Sequence, residues 1–297
     1  MLCPRNPGGK IMPRKLLPAL VLGLVLFSAA GALADGDIYV GGPWGTRIDR
    51  LPYTIIAPGS YYLGGNLSLA GGGHGITVAQ GVNHVTLDLM GFIINGSGTN
   101  WGIFLNDSKN VEIRNGTVTG WGTGIVEEGY SGKLHRILNV RVVGNSSGIY
   151  LRGHGHLVKG CEVTATGSSS SIDAWDVTVS GCTVKLVDGY GINTLRGIIS
   201  DNVVLGTGAG SPRYGIYVQA YGQVTLIKGN KVSGCAYGIY DGAGGGLNVI
   251  GNTVDAASGT TGFYLADDYS NLLDQNTVTG AGTHYNPTPK VPKRSNY

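Results

Sequence analysis

A glycine followed by isoleucine or phenylalanine returns along this chain at near-constant intervals. It occurs at Gly75-Ile76, Gly102-Ile103, Gly124-Ile125, Gly148-Ile149, Gly191-Ile192, Gly215-Ile216, Gly238-Ile239 and Gly262-Phe263, with Ser171-Ile172 standing in once. The steps run from 20 to 27 residues. A second motif runs in phase, with apolar residues closing a short polar stretch: Ile113-Arg-Asn-Gly-Thr-Val118, Val158-Lys-Gly-Cys-Glu-Val163, Val179-Ser-Gly-Cys-Thr-Val184, Ile227-Lys-Gly-Asn-Lys-Val232, Val249-Ile-Gly-Asn-Thr-Val254 and Leu273-Asp-Gln-Asn-Thr-Val278. Such a repeat nearly dictates the architecture. The apolar residues alternate as strands do when one face is buried, and Gly, Asn, Asp and Ser fill joints where positive φ is needed. One unit cannot bury its own apolar face, so neighbouring units must stack. Leucine-rich repeats share the period but need a leucine consensus that is missing here, and propeller blades need roughly 40 residues or more.

Setting the units in phase creates columns. One reads Phe92, Gly116, Val140, Cys161, Cys182, Asn202, Asn230, Asn252, Asn276. Its four final asparagines predict an internal ladder in which each side-chain amide bonds the backbone of the next rung. With that ladder, the chain resembles the right-handed parallel β-helix superfamily of pectate-lyase-like proteins over about Gly75–Val278. The segment Tyr53–Leu67 also resembles the opening coil of secreted bacterial β-helix proteins. The resemblance implies an all-β fold, a single-stranded right-handed parallel β-helix of about nine to ten rungs. It implies no single activity, because the superfamily holds lyases, hydrolases, binding proteins and adhesins.

Residues 1–34 read as a signal peptide: Arg5, Lys10, Arg14 and Lys15 precede the apolar run Leu16–Phe27, and Ala32-Leu-Ala34 offers a cleavage site. The run is too short to span a bilayer, so the expected product is exported to the periplasm or the extracellular space, with no membrane span. Residues 35–74 form the opening coil and cap, 75–279 the β-helix repeats, and 280–297 a Pro-rich basic tail. Removing the leader takes four basic residues from the 21 Lys+Arg and leaves 17 against 18 Asp+Glu. That balance gives a nucleic acid no electrostatic footprint. Cys161 and Cys182 fall one rung apart in one column. Stacked strands lie about 4.8 Å apart, within disulfide range, but parallel side chains would strain the torsion, so two stacked thiols are expected in preference to a bridge. No cofactor motif is present. Asp267-Asp268 offers a thin signal for calcium, and His135 and His156, in one column on neighbouring rungs, read as hydrogen-bonded histidines at a bend rather than as a metal pair.

The residue after each Gly-Ile pair points outward. That column reads Thr77, Phe104, Val126, Tyr150, Asp173, Asn193, Tyr217, Tyr240, Tyr264, and two positions on come Glu128, Arg152, Trp175, Leu195 and Gln219. Together they make a strip with aromatic ends and a charged middle. Tyr150, Trp175, Asp176, Asn193, Arg196, Tyr217, Tyr240 and Tyr264 are the candidate substrate-binding residues, with aromatic faces available to sugar rings. Glu128, Arg152 and Asp173 are the candidate catalytic residues. Glu128 and Asp173 lie two rungs, about 10 Å, apart in backbone position, so their side chains could reach the spacing of an inverting glycosidase. An arginine with a nearby base would instead suit elimination from a uronate. The short rungs leave little loop to wall a cleft, and the aspartate constellation of polygalacturonases is missing. The expectation is a monomeric protein that binds, and as a lyase or glycoside hydrolase would cleave, an extracellular polysaccharide. The alternative is a non-catalytic structural or adhesive surface protein.

Overall fold

The computed structural model describes residues 45–167, 169–207, 213–255, 260–266, 271–280, 283–286 and 293–294. Within them the chain is all β, with 28 short strands and no helix. Each strand pairs in parallel with strands one turn earlier and one turn later, in a solenoid of about nine turns. The right-handed sense follows from the chirality of parallel crossovers. The segment read as a signal peptide and Asp267-Asp268 lie outside the described residues, as do Lys290 and most of the tail.

The Gly-Ile repeat sets the register. Tyr53, Ile76, Ile103, Ile125, Ile149, Ile172, Ile192, Ile216, Ile239, Phe263 and Tyr285 align Cα to Cα down one face. From Ile76 to Phe263 every member is buried, and each such side chain contributes about 1.5–3 kcal/mol by leaving water. The repeat's glycines answer to stacking distance, not to φ. A Cβ on Gly75 or Gly102 would stand 2.6 Å from the carbonyl oxygen of the glycine one rung on, and no positive φ occurs at either.

Positive φ belongs instead to the column just before the ladder. Gly91, Asn115, Asn139, Gly160, Gly181, Asp201, Gly229, Gly251 and Gln275 all lie between 54° and 80°. Each turns the chain, and the next residue, except Gly116, carries its side chain inward. In the buried ladder, Oδ1 of Asn230 accepts from the Asn202 amide at 3.0 Å and its Nδ2 donates to the Ile199 carbonyl at 2.8 Å. Asn252 and Asn276 repeat the pattern. Cys182 takes the same place for Cys161, whose amide donates to its Sγ at 3.4 Å, and both thiols are free.

Both ends of the described coil keep this register. Tyr53 pairs with Ile76 and Tyr61 with Leu87, so the segment read as a cap contains strands of a regular turn. Thr283–Asn286 pairs with Thr261–Tyr264 in the same way. The step from Gly75 to Gly102 is the longest, and the buried Trp121 indole fills the interior there, 3.0 Å from where a Cβ of Gly102 would sit.

Candidate functional site

The outward column is built as its spacing predicts. Phe104, Val126, Tyr150, Asp173, Asn193, Tyr217, Tyr240 and Tyr264 are register partners in succession. Three adjoining shallow depressions lie along it, parallel to the stacking direction. The first, of about 270 Å³, is lined by Trp101, Thr123, Val126, Glu128, Ser147, Tyr150 and Ser169. The second, of about 250 Å³, shares Ser147, Tyr150 and Ser169 with the first and adds Ser170, Asp173, Tyr190 and Asn193. The third, of about 200 Å³, takes Asp173 and Asn193 from the second and adds Arg152, Trp175, Thr194, Leu195 and Gln219. Shared walls make one open groove with mixed polar and apolar lining. The sequence reading missed its serines, together with Trp101, Thr123, Tyr190 and Thr194, because it followed the two outward columns after each Gly-Ile pair and left out the column before it.

Arg152 is the groove's central cation. Its guanidinium lies 4.4 Å from the Tyr150 ring centroid and 4.7 Å from that of Trp175, and its Nε donates to the Tyr150 hydroxyl. Such stacking favours arginine, which holds less water than an ammonium. Trp175 also meets Tyr130 with ring centroids 5.2 Å apart, so its ring is already partly covered. Asp173 accepts from Asn193 Nδ2 at 3.2 Å. Burial pushes its carboxyl above the ordinary aspartate range, against the opposing pull of Asn193 and Arg152.

The predicted acid pair is divided between depressions. Glu128 is exposed and lines the first, whereas Asp173 lines the second and third. Asp176 and Arg196 sit beyond a bend in the strand Ile172–Ser180, in register with each other. Asp176 Oδ2 is 3.7 Å from Arg196 Nη2 and 3.8 Å from His154 Nδ1, and neither Asp176 nor Arg196 lines the groove's three depressions.

Beyond Asn193 the groove passes into a tyrosine field. Tyr217, Tyr240 and Tyr264 stack nearly parallel, with centroids 5.4 and 4.4 Å apart. A second column, Tyr190, Tyr214 and Tyr237, stacks beside it at 5.1 and 5.0 Å and meets the first edge to face. The signal for this column was present in the residue before each Gly-Ile pair, as in Tyr214-Gly-Ile-Tyr217 and Tyr237-Gly-Ile-Tyr240. The rings turn their faces onto one another, so they offer edges and hydroxyls outward rather than open faces. Burial among neighbouring phenols pushes the Tyr240 hydroxyl up to about 12. Among the described residues no group of three or more His, Cys, Asp or Glu is arranged to hold a metal ion, and no helix is long and apolar enough to cross a membrane.

A coil of parallel rungs with an internal asparagine ladder defines the class of this protein. Residues 124–278, just over half of the chain, match the family described as the right handed beta helix region, and the chain belongs to that family. Among solved structures it is similar to DFA-IIIase from Arthrobacter chlorophenolicus A6 in complex with GF2, at 14% identity and a TM-score of 0.47, covering 80% of this chain and 63% of that one. The Dettilon tailspike protein gp208 is similar at 13% identity and a TM-score of 0.48, with 83% and 60% covered. The Streptococcus pneumoniae surface protein and adhesin PfbA is similar at 10% identity and a TM-score of 0.44, with 82% and 88% covered. The chain thus spans 63% and 60% of the lengths of the first two. No curated protein sequence matches it.

Proposed function

We propose that this protein is exported and binds an extracellular polysaccharide in the groove from Trp101 to Gln219, with the glycan laid along the stacking direction. The observation that carries this reading is the continuity of three depressions, each with polar side chains in its lining, down one face. Rungs repeat about every 4.8 Å, close to the length of one sugar unit in an extended chain, so successive sugars meet successive rungs. Serine, asparagine, glutamine and tyrosine side chains supply donors and acceptors, and Arg152 supplies one cation for a carboxylate or ring oxygen. Cleavage is the narrower reading. Among the residues lining the three depressions the carboxylates are Glu128 and Asp173, and no one depression holds both, so binding is better supported than hydrolysis or elimination. The alternative, a structural or adhesive surface protein, draws on the tyrosine stacks, because rings packed on one another also stabilise an exposed sheet.

The test is affinity electrophoresis of the wild type, Arg152→Ala and Trp175→Ala/Tyr217→Ala in gels holding dextran, β-glucan, polygalacturonate or alginate. Both variants are expected to lose about tenfold in retention, the equivalent of roughly 1.4 kcal/mol, while keeping the wild-type circular dichroism spectrum. Unchanged retention in both would remove the groove from consideration. Should any polymer be cut, Glu128→Gln and Asp173→Asn are each expected to abolish new reducing ends or unsaturated-uronate absorbance, and activity surviving both changes would refute the acid and base assignment.

A further inference from the structure

Among the described residues, one inward column of the coil carries two buried carboxylates, Glu127 and, further along, Asp241. Val78, Leu105, Glu127, Leu151, Ala174, Thr194 and Val218 form an inward column in register, and Glu127 is fully buried between Leu105 and Leu151. An ionisable group in an aliphatic column is costly unless it is satisfied, so its contacts indicate what it is for. Glu127 Oε2 accepts from the backbone amides of Arg152 at 2.7 Å and Gly153 at 2.8 Å. These amides lie where the strand Ser147–Lys159 loses register with the strand Ile172–Ser180: Leu151 pairs with Ala174 but His156 with Val177, so two extra residues bulge out. A bulge frees backbone donors from the ladder, and buried donors need acceptors. Space for the carboxylate is made independently. A Cβ on Gly132 would collide with Glu127 Oε1, and one on Gly153 would lie 3.1 Å from the same oxygen.

We propose that Glu127 is the positioning residue of Arg152: by holding the Arg152 and Gly153 amides it fixes the bulge that seats the guanidinium over Tyr150 and Trp175. Touching no part of the groove itself, the carboxylate acts through the backbone of the residue that does. The importance of Arg152 to a glycan rests on the groove reading above, but the seating of its side chain does not. The groups facing Glu127 are His156 on the next rung, with Nε2 at 3.6 Å from Oε2, and Asp107, whose charge opposes ionisation. His135 stacks on His156 at 5.2 Å, and His154 and Asp176 act on His156 from the outer side. Burial holds the Glu127 carboxyl above the ordinary glutamate range in spite of the opposing backbone hydrogen bonds of Gly153, Arg152 and Gly132.

The test is solution NMR of the labelled full chain without ligand, in the wild type, Glu127→Gln and Glu127→Leu. In the wild type the Arg152 side-chain protons are expected upfield, shifted by the two rings, and the Arg152 and Gly153 amides are expected to titrate together above the ordinary carboxylate range. Glu127→Gln keeps an acceptor, so the upfield shift persists and the titration disappears. Glu127→Leu matches its column neighbours and should abolish the upfield shift while leaving the Tyr240 and Tyr264 resonances in place. A folded Glu127→Leu with the Arg152 shift intact overturns the proposal. If that variant does not fold, wild-type amides that stay fixed between about pH 4 and 8, across the range where a raised glutamate would titrate, overturn it equally. Polygalacturonate and dextran retention then separates the two ideas: Glu127→Leu is expected to lose the same roughly tenfold as Arg152→Ala, a change of one cation–π contact. Retention unaltered by Arg152→Ala, with the NMR result as expected, sinks the groove reading and leaves the positioning role standing.

Discussion

Asn230 is fully buried and satisfies both a buried amide and a buried carbonyl of the turn before it. Asn230→Ala leaves those groups unpaired and is expected to cost about 3 kcal/mol in chemical denaturation, by the usual penalty for orphaned buried polar groups. His135 and His156 form a second, shorter ladder: Nδ1 of His135 accepts from the Val111 amide and Nδ1 of His156 from the His135 amide, both at 3.3 Å. Burial lowers their pKa to about 3 and about 4, respectively. An unfolded histidine titrates near 6.5, so the stability these groups confer is fully present above about pH 6.5 and is lost as pH falls towards 4 and 3. The loss is on the order of several kcal/mol across that window. Glu127 works in the opposite sense, since its raised pKa disfavours the folded state as pH rises. His135→Asn/His156→Asn keeps an acceptor at each step without the charge. Its denaturation midpoint is expected to change much less between pH 7 and pH 4 than that of the wild type, and an acid limb as steep as the parent's would show that other groups govern it. The sequence reading placed these histidines in one column and as hydrogen-bonded, though His156 lies within the strand Ser147–Lys159 rather than at a bend; it could not see Glu127 turning inward, because alternation marks its neighbour Glu128 as the outward residue without saying what an inward glutamate would bind.

At the scale of a strand, the glycine of each Gly-Ile pair is set by how closely rungs approach. A Cβ on Gly238 would lie 2.5 Å from the Gly262 carbonyl oxygen and would also press into Val254. Gly238→Val is therefore expected to destabilise by more than about 2 kcal/mol through overpacking, whereas the same change at the open Gly65, with nothing within 4 Å, is expected to stay within about 0.5 kcal/mol of the wild type. Paired thermal melts check the contrast, and similar losses at both sites would count against close stacking as the cause. Strand register was legible outside the irregularities near Val142–Asn145 and Leu151–His156, because the side-chain period of two leaves little freedom once one face is buried. The ring orientation of the tyrosines was not legible. Spacing fixes which residues neighbour one another, but rotamer choice decides whether faces meet each other or solvent, and here they meet each other.

At the scale of the whole coil, the fold could be read from the sequence because each rung repeats one solution to the same packing problem. The groove is less legible because it arises between two outward columns and across a two-residue bulge, features that a repeat averages away. Its low walls fit the short rungs, and they explain why the two carboxylates of the lining do not converge. The account therefore stands or falls on binding rather than turnover. The most direct measurement is retention and cleavage of dextran, β-glucan, polygalacturonate and alginate by the full chain, read with the Arg152→Ala variant alongside. The account predicts retention of at least one polymer, reduced about tenfold by the substitution, with or without new reducing ends. Migration unaffected by all four polymers, or retention that Arg152→Ala leaves intact, would contradict it and favour a coil whose stacked tyrosines serve only its own stability or contact with another surface.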